Sequence, residues 1–134
     1  MGTREHFLAL LGAEVGYTEC PRDAAGRCLF TGHTGPGQNH TKYAAIAGHK
    51  NGAYWCATGE VAVFMEADVQ LPPGADTAST RANLDAWKRA GRWIEPADII
   101  AGDVVFDHLT GRNGPWPTPD HTAIATGPPL SGHL

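Results

Sequence analysis

Apolar positions in the first sixteen residues recur at helical spacing. Phe7, Leu8, Leu11 and Val15 share a face, with Leu10 beside them, and Thr3 stands where a capping hydroxyl belongs. The pattern predicts a half-buried helix over residues 3–16. Residues 17–40 show no period and carry Gly26, Gly32, Gly35, Pro36 and Gly37, the composition of a long loop. Thr41 to Ala47 reads as a short helix stopped by Gly48. The helical period returns from Cys56 to about Val69, with Val61, Phe64 and Met65 on one face and Ala57 a turn behind Val61. Gly59 costs this helix about 1 kcal/mol relative to Ala and suits close packing of another element. Leu71-Pro72-Pro73-Gly74 ends it. Ser79 or Thr80 then caps a further helix to Arg92, with Leu84 and Trp87 inward and Gly91 near its end.

The last third changes period. Ala101-Gly102-Asp103 reads as a turn feeding a strand, Val104-Val105-Phe106, in which Asp103 closes hydrogen bonds ahead of the strand. A Gly/Pro-rich loop runs from Leu109 to Pro119, and His121 to Thr126 alternates as a second strand. Helices first and strands afterwards predict an α+β fold, N-terminal helices packed on a small antiparallel β-sheet. With 134 residues, no internal repeat and no long linker, one domain over 1–134 is expected.

Composition narrows the function. Seventeen Gly and ten Pro, about a fifth of the chain, imply many turns. A net charge of −4 offers no basic footprint for nucleic acid and no attraction to an anionic membrane. A polymeric substrate must then be gripped by a groove or by a separate binding domain. The short N-terminal apolar patch is broken by Glu14 and Gly16, so it reads as an amphipathic helix rather than a signal peptide.

Cys56 carries the chemistry. It opens a predicted helix, where the dipole and unpaired backbone N–H groups favour a thiolate and can hold an oxyanion. A cysteine nucleophile needs a base within hydrogen-bond reach, and His121, at the start of the last strand, is the natural candidate. Tyr54, Trp55, Trp93 and Trp116 are candidates for a groove wall, and Trp116, on the loop before His121, is the one expected to be exposed.

Six segments in order extend this pattern. They are Leu10 to Glu19, Asn39-His40-Thr41-Lys42-Tyr43, Gly52-Ala53-Tyr54-Trp55-Cys56-Ala57, Ala86 to Trp93, Gly102-Asp103-Val104-Val105-Phe106 and His121-Thr122-Ala123-Ile124-Ala125. Together they resemble the CHAP family of peptidoglycan amidases and endopeptidases, in particular the catalytic domains of actinobacterial phage endolysins. The resemblance implies a papain-like fold, Cys56 as nucleophile and His121 as base. It places Asn39 and Tyr43 near the site, so that with Tyr54, Trp55 and Trp116 of the groove wall they are the expected substrate contacts. Its chemistry needs no cofactor. Some relatives bind calcium, but the oxygen ligands around Asp23 and Asp103 are too sparse for a calcium loop, so no metal is expected. The expected partner is bacterial peptidoglycan, the expected state a monomer, with a separate cell-wall-binding domain in a longer parent chain. Such a protein is made in the host cytoplasm without a signal peptide and acts on the wall after release.

The family orients its base with an acidic or amide residue on the following strand. The residues after Thr126 contain none. Two expectations follow: a missing strand supplies the acceptor, or Asp107, a backbone carbonyl or a water replaces it. Asp120 should face away from the imidazole, because neighbouring strand residues point to opposite faces. The rival function is a catalytically weak CHAP-like domain that binds wall or partner without turnover. Cys20 and Cys28 are open to three states: free thiols, a disulfide, or zinc ligands with His33 and His40 in a separate interaction module.

Overall fold

The computed structural model describes residues 2–35, 38–110, 114–115 and 118–130. In chain order it comprises α1 (Arg4–Ala13), α2 (Lys42–Ala47), α3 (Cys56–Glu66), α4 (Thr80–Arg89), β1 (Val104–Asp107) and β2 (His121–Ile124). Helices and a small antiparallel sheet together make this an α+β arrangement. Among the described residues no helix is long and apolar enough to cross a membrane.

The helix starts follow the capping chemistry. Thr3 Oγ1 accepts from His6 N at 3.1 Å and Ser79 Oγ from Ala82 N at 3.2 Å, each satisfying a first-turn donor. Gly48 ends α2 in the left-handed region, with φ of 71°. Three helices are shorter than the sequence pattern suggests, α4 ending at Arg89 instead of Arg92. α1 stops at Ala13, so Val15 lies beyond the helix and is 86% exposed, not on its buried face. α3 stops at Glu66, and Met65 is 42% exposed rather than packed with Val61 and Phe64. β2 ends at Ile124 instead of Thr126. A 3-10 turn, Pro96–Asp98, was not foreseen by the pattern.

α3 is the centre of the molecule. One side of it packs Val63, Phe64 and Ala67 against Phe7 of α1, with Leu11, Trp87, Val104 and Ile124 around them. The Phe7 and Phe64 rings stack at 4.3 Å. The other side packs Val61 and Ala62 against Tyr43 and Ala47 of α2. Gly59 admits Trp55 and Tyr43 to the helix surface, since a Cβ there would lie 3.3 Å from the indole.

β1 and β2 pair antiparallel, Val104 opposite Ile124 and Asp107 opposite His121. Val104 and Ile124 face the core, so Val105, Asp107, His121 and Ala123 share the other face of the sheet. Arg4 reaches from α1 to Ala101 O and, at 3.1 Å, to Asp103 Oδ1, which anchors the turn before β1. Asp103 Oδ2 also accepts from Ile100 N, as its turn role requires.

The stretch predicted to be a plain loop has structure of its own. Cys20 and Cys28 form a disulfide, which leaves neither thiolate for the zinc set. Arg22 pairs in a bridge with Cys28 and donates to Gly26 O, His33 O and Gly35 O. Among the described residues no cluster of three or more His, Cys, Asp or Glu side chains is arranged for a metal.

Candidate functional site

A cavity of about 460 Å³ opens where α3 meets β2. Cys56, His121, Asn39, Tyr43, Tyr54 and Trp55 all line it, so six of the seven residues expected at the site share one concavity. The seventh, Trp116, lies outside the described residues.

Cys56 is the free cysteine and is half-buried. It is the first residue of α3, and the preceding Trp55 makes no side-chain capping bond to that helix. The Trp55 side chain therefore satisfies none of the first-turn N–H groups. Cys56 Sγ lies 3.7 Å from Thr80 Oγ1, at the start of α4. His49 secures the same end of α3: Nε2 meets Asp76 O at 3.0 Å and Nδ1 meets Thr58 Oγ1 at 2.8 Å. A carbonyl accepts only, so Nε2 carries a proton, and in the neutral ring Nδ1 accepts from the threonine.

The opposite wall is a polar network. Glu19 Oε2 accepts from Asn39 N at 2.9 Å and from Trp55 Nε1 at 3.3 Å, tying the disulfide-closed segment to the approach to Cys56. Asn39 itself adopts a left-handed backbone, with φ of 60°. Tyr43 OH donates to Glu14 Oε2 at 2.6 Å, and Lys42 Nζ stands 2.7 Å from the same oxygen. Bonds from Lys42 and Tyr43 hold the Glu14 carboxyl below its usual range. Burial and the Glu14 carboxylate push the Tyr43 phenol well above its own. Trp55 stacks on Tyr43 with centroids 5.6 Å apart, whereas Tyr54 is 62% exposed at the rim. Asn39 and Tyr43 thus hold the wall together as well as facing the cavity.

His121 enters from β2. Among the described residues its ring makes no hydrogen bond to Cys56 or to an orienting acceptor. Asp120 is buried and turned away from it: its carboxylate accepts from Leu109 N, Thr110 N and Thr110 Oγ1 at 2.8 to 2.9 Å. The nearest carboxylate in register is Asp107, directly across the sheet, where facing Cβ atoms are about 4.5–5.5 Å apart.

Two further residues of the site escaped the sequence reading. Glu14 anchors Tyr43 and Lys42. Glu60 lines the cavity one turn after Cys56, is 5% exposed, and accepts from Thr122 Oγ1 at 2.8 Å. Its signal was a lone charge inside the apolar run Val61 to Phe64 and Ala57, where a solvated residue does not belong. No family model matches the chain, and no curated protein or solved structure is significantly similar to it.

Proposed function

We propose that the chain is a papain-like CHAP-type cysteine hydrolase that cuts amide bonds of bacterial peptidoglycan stem peptides. The observation that carries this reading is a free cysteine at an uncapped helix start sharing one cavity with a strand-borne histidine. The Cys56 thiolate attacks a stem-peptide carbonyl, and first-turn N–H groups of α3 stabilise the oxyanion. Protonated His121 donates to the leaving amine, and water activated by neutral His121 hydrolyses the thioester. Asp107 is the acceptor best placed to orient the imidazole, as the partner of His121 in the sheet. Asn39, Tyr43, Tyr54 and Trp55 line the groove for the stem peptide, an amidase and an endopeptidase being equally served by it. No cofactor enters this chemistry. The protein acts on the wall after release from the cytoplasm in which it is made, as a monomer or as one module of a longer lysin.

A second reading has one observation in its favour, the lack of an orienting hydrogen bond to His121 among the described residues. On that reading the domain binds wall without turnover. Mass spectrometry of actinobacterial peptidoglycan digested by the protein separates the two and identifies the bond cut. Cys56→Ala should abolish lysis and leave the circular dichroism spectrum unchanged. Lysis by Cys56→Ala at the wild-type rate would sink the hydrolase mechanism.

A further inference from the structure

Glu60 sits where a carboxylate has little to gain. Its Oε2 accepts from Thr122, the neighbour of His121, and the amide of Asn83, from α4, reaches the same carboxyl. Asn83 Nδ2 donates to Ala75 O at 2.9 Å, which fixes the amide and leaves Oδ1 over. Glu60 Oε1 and Asn83 Oδ1 are both buried, and both lack a hydrogen-bond partner. A buried carboxylate oxygen without a partner is costly while the group is ionised, and a proton on Glu60 removes that charge. Burial acts in the same direction and pushes the Glu60 carboxyl up to about 7, although its bonds with Thr122 and Asn83 pull it down. The titratable groups around it are Cys56 on its own helix, His121 on β2, and Glu14 and Tyr43 across the cavity, with Lys42 paired to Glu14. α4 faces it with the uncharged Asn83.

We propose that Glu60 is a positioning residue: it carries a proton, accepts from Thr122, and so locks β2 and His121 against the helix that bears Cys56. The functional half of this proposal rests on the Cys56–His121 reading, whereas the protonation half does not. The side-chain carboxyl ¹³C resonance of Glu60, assigned by its loss in Glu60→Gln, should titrate near neutrality rather than at the ordinary value of about 4.3. Alkylation of Cys56 by iodoacetamide at mildly acidic pH reports the positioning. Glu60→Leu and Thr122→Val should slow it roughly five- to tenfold, the scale of one lost buried hydrogen bond. Glu60→Gln should rescue the rate, because its uncharged amide oxygen accepts from Thr122 as the protonated carboxyl does, and Thr122→Ser should rescue on the other side. Raising the pH through neutrality should loosen the wild type and not Glu60→Gln, so the ratio of their rates should change. An ordinary carboxyl titration, or equal impairment of the Gln and Leu variants, overturns the proposal. The titration is read on the wild-type protein, so a misfolded variant does not shelter it. Full lysis by Cys56→Ala would count against the nucleophile alone and leave the carboxyl titration to stand or fall by itself.

Discussion

The two walls that carry Cys56 and His121 are built in opposite ways. Seven of the eleven residues of α3 are buried, and the helix has core on both sides. β1 has no buried residue and β2 has one, Thr122. A two-stranded sheet is marginal by itself in water. It is held here by apolar contacts of Val104 and Ile124 and by a few polar ties: Arg4 to the turn before β1, Asp120 across the ends of the following loop, and Thr122 to Glu60. Cys56 is thus fixed by the hydrophobic core, and His121 by two apolar contacts and the polar ties of its sheet. Geometry between them is only as firm as the weaker wall.

Truncation in the core should show this contrast at its largest. Phe64→Ala removes a buried ring stacked on Phe7 and should destabilise the protein by about 3–5 kcal/mol. Val105→Ala, on the sheet face away from the core, should cost about 1 kcal/mol or less. Urea denaturation of both variants checks it. Equal losses would mean that the sheet is as deeply part of the core as α3.

The sequence announced the firm wall more clearly than the weak one, for a physical reason. Helix caps and apolar periods are local, so Thr3, Ser79 and Gly48 mark real boundaries. The ends were misjudged where the period outlasts the hydrogen bonding: Val15 and Met65 continue the apolar pattern but face solvent. The helix start at Cys56 and the strand start at His121 were legible because both are recognisable positions. The Glu60–Thr122 bond joins residues 62 apart, and the register of Asp107 with His121 depends on a loop whose length sets no obvious pairing. Neither has a local signature. The Cys20–Cys28 disulfide was one of three open states, since three cysteines do not dictate a pairing.

Acidity probes the junction between the walls. The Glu60 carboxyl, pushed up to about 7 in the folded protein, sits near 4.3 in the unfolded chain, so the folded state binds more protons between those values. Stability should therefore fall as the pH rises from about 4.3 to about 7, and the loss should be complete above the folded value. The span corresponds to about 4 kcal/mol. Glu60→Gln has no such group and should lack this part of the decline. Urea midpoints of the two proteins across the range should converge at acid pH if Gln fills the same bonds, and diverge above neutrality. Parallel curves would show that the wild type carries no buried proton there.

The smallest stability effect tests the weakest contact of the weaker wall. Asp107 is half-buried at the end of β1 and faces His121 across the sheet, and Asp107→Ala should change stability by no more than about 0.5 kcal/mol. Its effect on the thiol should nevertheless be measurable. A papain-like base works from one tautomer, with its far nitrogen held by an acceptor that also stabilises the imidazolium. If the Asp107 carboxylate is that acceptor, its loss should slow Cys56 alkylation at mildly acidic pH by about two- to tenfold, the range of one net hydrogen bond. Asp107→Asn keeps an acceptor oxygen without the charge and should fall between wild type and Ala. His121→Ala should erase the difference, because an acceptor without an imidazole has nothing to orient. Alkylation unaffected by Asp107→Ala, with His121→Ala still slow, would leave the imidazole acting on Cys56 without this carboxylate, and the orienting role would pass to a backbone carbonyl or a water.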